Sequence, residues 1–203
     1  MNWLRKFFKV LTLGIGLNLV LGVTPSFADA VTYQDVYTNN VNGVTGLQGI
    51  SDVAVSPDGK FVYAASYQVS SVSVFERNLV TGQLTYRSTK TGLSAAFSVD
   101  VSADNKSVYV ASPTANVVIA LSRDLTTGAL TEVNRLGGSQ TGGFVSVSSS
   151  PDGKNIFGVG GSPSGLVVFE RNVGTGFISR VDDYADDVNG NALGQVFSPT
   201  GSP

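Results

Sequence analysis

The stretch VAVSPDGKFVYAAS, residues 53–66, consists of two apolar runs separated by the turn sequence Ser-Pro-Asp-Gly. Proline presets the first central position of a type I turn, aspartate accepts hydrogen bonds from nearby backbone N–H groups, and glycine adopts the positive φ that follows. The flanking runs are short, rich in Val and alternating, as in β-strands. The stretch therefore predicts a β-hairpin with strands at residues 52–56 and Phe61–Ser66.

This hairpin sequence recurs along the chain at a regular interval. The copies of the turn are SPDGK at 56–60, SADNK at 102–106, SPDGK at 150–154 and SPTG at 198–201. A second marker follows the same steps of 46 and 48 residues, with copies VFERN at 74–78, ALSRD at 120–124 and VFERN at 168–172. Since two independent markers agree, the chain is predicted to be built from a structural repeat.

Each repeat has room for four short antiparallel strands. In the first copy the third and fourth strands are expected at Ser71–Arg77 and Leu84–Lys90, before the next hairpin begins. Four strands in about 40 to 50 residues are typical of a β-propeller blade. The sequence thus predicts an all-β fold with repeat units at approximately 50–97, 98–145 and 146–193, and a partial unit at 194–203.

The two ends of the repeat array suggest an incomplete ring. VTY at residues 31–33 matches LTY at 84–86, which predicts a lone outer strand ahead of the first unit. The fourth copy stops within its first turn, at residues 198–203. We therefore expect three complete four-stranded sheets, one lone N-terminal strand and the start of a fourth blade.

The first 28 residues have the features of a secretory signal peptide, ahead of a propeller domain at residues 29–203. Arg5, Lys6 and Lys9 precede an apolar run, and small residues at positions 26 and 28 predict cleavage between Ala28 and Asp29, with cleavage after Ala30 as the near alternative. The apolar run of residues 10–23 would cover about 21 Å as a helix, against a hydrocarbon core of about 30 Å. We expect export to the periplasm or beyond, with no stable membrane span after cleavage.

Composition excludes several classes of function. The chain has no cysteine and no histidine, so disulfides, zinc sites of the Cys/His type and a Ser-His-Asp triad cannot form. Removal of the leader takes away three of the 13 basic residues and none of the 15 acidic ones. The mature chain is therefore acidic, and nucleic acid, which attracts clustered Lys and Arg, is not an expected partner.

At these motifs the chain resembles a known family. SPDGKFVYAAS and VSVFERNLVTGQLTY, at residues 56–66 and 72–86, resemble the blade repeat of the lactonase-like seven-bladed β-propellers, which are related to six-phosphogluconolactonase and the YVTN repeats. The resemblance covers residues 31–203 and implies a ring of seven blades, of which this chain would supply about half. It also implies histidine, arginine and acidic side chains around the channel mouth. Since histidine is missing, no catalytic residue is carried over to this chain.

Polar residues that recur in every copy are expected to be architectural, whereas a site should break the repeat. The recurring residues are Asp58, Asp104, Asp152, Arg77, Arg123 and Arg171. The repeat-breaking candidates for ligand binding at a channel mouth are Tyr67, Gln68, Asp100 and Gln140. One acid without a positioned base or nucleophile is not a catalytic mechanism, so Asp100 is proposed for binding only.

An acidic segment near the C-terminus resembles part of a calcium loop. Asp187, Asn189 and Asn191 alternate like calcium ligands, but Ala192 stands where the template requires glycine and Ser198 where it requires glutamate. A solvated loop is therefore favoured, with weak Ca²⁺ binding around Asp187 as the alternative. No other cofactor is predicted.

Three functional hypotheses remain open from the sequence. The favoured one is an exported, non-catalytic module that binds an unknown protein or small molecule through its blade loops. The alternatives are part of a lactone hydrolase whose catalytic residues lie in missing blades, and a gene fragment without a function of its own. Exposed blade edges also predict self-association.

Overall fold

The computed structural model describes residues 35–137, 142–161, 164–186 and 192–195, and all regular structure within these ranges is β-strand. The strands form three antiparallel sheets, one for each repeat. The prediction of an all-β fold made of four-stranded propeller blades is thus confirmed. No helix long and apolar enough to cross a membrane occurs in the described part of the chain.

Within each repeat the strands pair in chain order. The first sheet contains β1 (Ile50–Val55), β2 (Phe61–Ser66), β3 (Ser71–Arg77) and β4 (Leu84–Lys90). The second contains β5 (Ser98–Val101), β6 (Ser107–Ser112), β7 (Val117–Arg123) and β8 (Leu130–Gly137). The third contains β9 (Phe144–Ser149), β10 (Asn155–Gly160), β11 (Gly165–Arg171), β12 (Ile178–Asp186) and β13 (Ala192–Gln195).

The hairpin turn of each repeat is held by its own side chains. Asp58 accepts a hydrogen bond from the Ser56 hydroxyl at 2.5 Å and one from the Lys60 N–H at 3.0 Å. The residue after the aspartate has a positive φ in all three turns, 71° at Gly59, 65° at Asn105 and 70° at Gly153. Asparagine is one of the few other residues that tolerate this conformation, so its presence in the second repeat preserves the turn.

The sheets also share one irregularity. The pairing between the third and fourth strands shifts register at Val74/Phe75 in the first sheet, at Ala120/Leu121 in the second and at Val168/Phe169 in the third. These positions are separated by the same 46 and 48 residues as the sequence markers. Since a bulge of this kind increases the local twist, its repetition gives the outer edges of the three sheets the same twist.

Two apolar layers join the sheets face to face. Between the first and second sheets lie four fully buried residues, Tyr63, Val74, Val110 and Leu121. Between the second and third sheets lie Tyr109, Phe144, Ile156 and Phe169, which are equally buried. Because each sheet is covered by its neighbour, the hydrophobic core is a stack of inter-sheet layers rather than one central cluster.

The segment before β1 packs on the other face of the first sheet. Val44 and Leu47 bury against Ala64 and Phe75, and the Tyr37 ring contacts the Phe75 ring edge-on at 5.2 Å. The segment therefore covers part of an otherwise open sheet face. The lone N-terminal strand predicted at residues 31–33 and the signal cleavage site at Ala28 and Asp29 lie outside the described residues.

The residues around the predicted boundary between the third and fourth units extend the third sheet. Residues 192–195 form β13, which pairs with β12 as a fifth strand at the outer edge of the third sheet. β13 thus forms a short edge strand beside β12.

Candidate functional site

The inner strands β1, β5 and β9 lie next to one another and are joined by aspartates. Asp52 of β1 accepts hydrogen bonds from the Ser98 hydroxyl and from the Val99 N–H of β5, both at 2.9 Å. Each bond crosses from one sheet to the next. Asp52 thus fixes the spacing of the first two inner strands.

Asp100, a candidate from the sequence, occupies the corresponding junction between the second and third sheets. Its Oδ2 atom accepts hydrogen bonds from the backbone N–H and the hydroxyl of Ser149, both at 2.6 Å. One carboxylate oxygen is therefore shared by two donors of β9. This geometry gives Asp100 a structural task, which accounts for its break with the repeat.

The hairpin turn of the first sheet is bound by an arginine of the second sheet. Arg123 donates from Nη2 to Asp58 Oδ2 at 3.0 Å and from Nε to the Tyr63 hydroxyl at 2.8 Å. Its guanidinium carbon lies 5.0 Å from the centre of the Phe61 ring. The Arg123 side chain is 0% exposed and that of Asp58 24%. We call this contact the inter-sheet ion pair.

The same ion pair recurs between the second and third sheets. Arg171 donates from Nη2 to Asp104 Oδ2 at 3.0 Å, and also to the hydroxyl of Ser107 at 3.0 Å. Ser107 stands one repeat after Phe61, so a hydrogen bond replaces the ring contact of the first copy. The prediction that these recurring charges are architectural is confirmed at both junctions.

The inter-sheet ion pair changes the pKa values of the groups around it. Burial alone would raise the pKa of Asp58, but hydrogen bonds from Ser56, from the Lys60 N–H and from Arg123 outweigh it, so the pKa lies below its ordinary value. The pKa of the neighbouring Tyr63 hydroxyl changes in the other direction, because burial raises it to about 12. Tyr63 is therefore a neutral hydrogen-bond partner at all physiological pH values.

An aromatic pair is exposed at the end of the sheets where β1 and β5 begin. The rings of Tyr67, after β2, and Phe97, before β5, meet edge to face with centroids 6.0 Å apart. Tyr67 is 43% and Phe97 38% exposed. Both break the repeat, since Pro113 stands one repeat after Tyr67 and Ser51 one repeat before Phe97. We call Tyr67 and Phe97 the aromatic platform.

The aromatic platform is anchored by the loop before β1. The Tyr67 N–H donates to the Gly49 carbonyl at 3.0 Å, and the side chain of Gln68 packs so closely on Gly49 that a Cβ there would lie 2.5 Å from Gln68 Cγ. Of the sequence candidates, Tyr67 and Gln68 thus lie together at this end of the sheets. Asp100 is hydrogen-bonded to Ser149 of β9 instead. Gln140 lies outside the described residues.

Phe97 was not among the sequence candidates. Its departure from the repeat was visible in the sequence, because the equivalent positions hold Ser51 in the first copy and Val145 in the third. Aromatic side chains, however, are usually assigned to packing, and its proximity to Tyr67 depends on how two consecutive sheets are stacked. Only the three-dimensional arrangement brings the two rings together.

In the described ranges, no group of three or more His, Cys, Asp or Glu side chains lies close enough together to hold an ion. The Ca²⁺ alternative around Asp187 falls outside the described residues. The end of the sheets at Tyr67 and Phe97 offers aromatic surface for stacking and, at Gln68, an exposed side-chain amide for hydrogen bonding.

Comparisons with known families give a match over more than half of the chain. Residues 26–147 match the family described as lactonase, 7-bladed beta-propeller. No curated protein matches the chain.

Similar folds occur among solved structures. A candidate 6-phosphogluconolactonase of Bacteroides uniformis is 20% identical with a TM-score of 0.60, covering 70% of this chain and 45% of that one. The periplasmic gluconolactonase PpgL of Pseudomonas aeruginosa is 22% identical with a TM-score of 0.57, covering 73% and 42%. A candidate 6-phosphogluconolactonase of Bacteroides fragilis is 23% identical with a TM-score of 0.56, covering 64% and 36%. The chain thus spans less than half the length of each.

Proposed function

The chain belongs to the lactonase family of seven-bladed β-propellers, and we propose that it serves there as an exported module that binds a ligand without catalysing its hydrolysis. The ligand class is a small polyhydroxylated ring compound, with a sugar lactone as its first representative. The observation that carries this proposal is the exposed aromatic platform of Tyr67 and Phe97, with the exposed side chain of Gln68 next to Tyr67 in the chain.

The platform has the chemistry for such a ligand. A sugar ring has an apolar C–H face that packs on an aromatic ring and hydroxyls at its rim that need hydrogen-bond partners. The edge-to-face contact fixes the two rings relative to each other, so little side-chain entropy is lost when a ligand stacks on them. The Gln68 amide offers both a donor and an acceptor.

The state of the carboxylates supports a binding role over a catalytic one. A general acid or base must exchange a proton with the substrate, so it needs an unengaged carboxyl group at the site. Asp52 and Asp100 are held by donors of the neighbouring inner strand, and Asp58 and Asp104 by arginines of the neighbouring sheet. These four carboxylates are committed to joining sheets.

The test is calorimetric titration of the purified chain with D-glucono-1,5-lactone and other aldonolactones. We expect Tyr67→Ala and Phe97→Ala each to weaken binding about tenfold, because each removes one stacking surface. Phe177→Ala is the matched control. Phe177 is 50% exposed but lies in the turn before β12, at the opposite end of the sheets.

Catalysis is followed in the same samples by proton release at constant pH. Lactone opening at the spontaneous rate, together with binding that depends on the aromatic platform, supports the proposal. Opening faster than the spontaneous rate would overturn the non-catalytic role. Binding that is unchanged in both platform variants would place the ligand elsewhere.

A second candidate function is a share in a lactone hydrolase, which the family match favours. In that case the three sheets provide part of a ring, and catalytic side chains come from further blades of a longer protein. The two functions are distinguished by a protein extended with such blades. It would open lactones where this chain only binds them.

A further inference from the structure

The junction between the first and second sheets contains a continuous chain of hydrogen bonds. Arg123 donates from Nε to the Tyr63 hydroxyl at 2.8 Å, and this hydroxyl donates to the Gly128 carbonyl at 3.1 Å. The Phe61 ring lies against the guanidinium, whose carbon is 5.0 Å from the ring centre. The guanidinium Nε, the hydroxyl and the carbonyl are thus all paired within the protein.

The junction between the second and third sheets has the same groups, but two of them lack a partner. The equivalents of these three polar residues, one repeat later, are Tyr109, Arg171 and Gly176. The Tyr109 hydroxyl and Arg171 Nε make no hydrogen bond to any part of the chain that the structure describes. Tyr109 is 0% exposed and the Arg171 side chain 1%. Since buried polar groups are paired with protein atoms or with ordered water, both groups require a further partner.

One difference between the repeats accounts for the unpaired groups. Ser107 stands where the first junction has Phe61, and its hydroxymethyl group is much smaller than a phenyl ring. Arg171 donates from Nη2 to the Ser107 hydroxyl at 3.0 Å, a bond that a ring cannot offer. The guanidinium therefore turns Nη2 toward β6, and its Nε loses the tyrosine contact of the first junction.

The groups around Ser107 form a small polar site between the sheets. Burial raises the pKa of the Tyr109 hydroxyl, while the nearby Ser107 hydroxyl and the Arg171 guanidinium act in the opposite direction, so the three groups are neighbours. The turn before β12 closes the site, since a Cβ on Gly176 would lie 2.9 Å from Ser107 Oγ. Gly176 has no side chain that could take up the room of the missing ring.

We propose that this site binds one structural water molecule, which joins Arg171 Nε to the Tyr109 hydroxyl. The water accepts a hydrogen bond from Arg171 Nε and exchanges a second one with Tyr109. Its third partner is the Gly176 carbonyl, which is the equivalent of the carbonyl that accepts from Tyr63. Three polar partners are typical of a buried water molecule. The ligand is neutral, because Asp104 at 3.0 Å already balances the charge of Arg171.

The two junctions then differ in hydration although they share the same ion pair. The side chain after the turn lysine decides between them, because the ring of Phe61 excludes water and the hydroxyl of Ser107 admits it. Exchange of this one side chain should therefore convert a hydrated junction into a dry one.

The first measurement is urea unfolding of the purified full chain and of its Tyr109→Phe variant. We expect Tyr109→Phe to raise the unfolding equilibrium constant about fivefold, because the water loses one of its hydrogen-bond partners. Tyr63→Phe is the matched control, since it removes a hydroxyl that is bonded directly within the protein. A buried hydroxyl without any partner would behave differently, because its removal costs no hydrogen bond and leaves stability unchanged or higher.

The second measurement counts the water molecules that stay inside the folded chain, by magnetic relaxation dispersion of the water oxygen. Ser107→Phe introduces the ring of the first junction and should remove one long-lived water molecule from the count. Ser51→Phe is the control, because it adds the same ring at an exposed position whose equivalent is Phe97. It should leave the count unchanged.

The proposal requires both results, a less stable Tyr109→Phe variant and the loss of one long-lived water molecule in Ser107→Phe. An unchanged count in Ser107→Phe overturns it, and so does a Tyr109→Phe variant that is as stable as the parent chain or more stable. Tyr109→Phe keeps the ring and its packing, so this measurement stands even where Ser107→Phe does not fold. Circular dichroism establishes that each variant is folded.

Discussion

At the scale of single residues, Arg123 connects three groups of the neighbouring sheet. It pairs with Asp58, donates to the Tyr63 hydroxyl and lies over the Phe61 ring, all of them in the preceding sheet. A fully buried guanidinium is costly to desolvate unless such partners are present. Removal of its carboxylate partner, Asp58, should therefore lower the stability of the fold substantially.

We expect Asp58→Ala to lower the free energy of unfolding by about 2 to 3 kcal/mol more than Asp152→Ala does. Both variants lose the same bonds within the turn, from the preceding serine hydroxyl and the following lysine N–H. Only Asp58 also leaves a buried arginine unpaired. Urea unfolding of the two variants measures the difference, and equal losses would show that the ion pair adds nothing to stability.

Stability should also depend on pH through these carboxylates. Burial by itself would raise the pKa of Asp104, yet bonds from Ser102, the Lys106 N–H and Arg171 lower it below the ordinary 3.8, as at Asp58. In the unfolded chain the pKa returns to its ordinary value, so the unfolded state binds protons more readily. The stabilisation is present above that value and is lost as pH falls through the folded pKa.

The free energy of unfolding should thus be level above about pH 5 and fall below about pH 4. The double variant Asp58→Asn/Asp104→Asn removes both groups and should show a shallower fall. Urea unfolding at a series of pH values between 3 and 7 provides the measurement. An unchanged slope in the double variant would assign the pH dependence to other carboxylates.

At the scale of elements, the turn between the third and fourth strands contributes to the junction as well as to its own sheet. Gly128 has a φ of 73°, and a Cβ there would lie 2.4 Å from Phe61 Cδ1 of the preceding sheet. Gly82, one repeat earlier, has a φ of 78° but no atom within 4 Å of a Cβ. The same turn glycine therefore packs on the preceding sheet in the second repeat, whereas in the first repeat it lies in open space.

Gly82→Ala should cost about 1 kcal/mol, from the positive φ alone. Gly128→Ala should cost about 1 to 3 kcal/mol more, because the added methyl must displace the Phe61 ring from a close-packed layer. Thermal unfolding of the two variants isolates the inter-sheet contribution, since the backbone penalty is common to both. Equal losses would mean that the Phe61 ring moves aside without cost.

At the scale of the whole molecule, the sheets form an open row with different faces at its two ends. One end offers Arg77 and exposed valines, and the other offers Asp152 and the apolar face of the third sheet. Uncovered faces of this kind favour association, whether with further blades or with a second copy. The whole-molecule behaviour in solution thus depends on what covers these two ends.

The predicted export also concerns the whole chain. Expression of the full sequence in a bacterial host should give a mature protein that begins at Asp29, because signal peptidase recognises the small residues at positions 26 and 28. N-terminal sequencing of the periplasmic fraction measures the start. A protein that begins at Val31 identifies the neighbouring cleavage site, and one that retains Met1 excludes export by this route.

The repeat, the strand order and the turn chemistry were predictable because they depend on residues near in sequence. A proline, an aspartate and a residue tolerant of positive φ specify each hairpin locally, and Asn105 fulfils that rule as Gly59 does. The recurring Asp58 and Arg123 were also recognised as architectural from their spacing. Of the two residues of the aromatic platform, only Tyr67 was among the candidates from the sequence, although Phe97 departs from the repeat as well.

What the sequence by itself determined is therefore the blade, its period and its family resemblance, because short-range turn geometry and alternation fix these. Only the tertiary structure decided which charges meet across sheets, why Asp100 departs from the repeat, and that β13 joins the third sheet. The charge contacts and the Asp100 contact join residues 49 to 67 positions apart, as Asp100 with Ser149 and Arg171 with Asp104 illustrate. Their partners are set by the stacking of whole sheets, which no local pattern encodes.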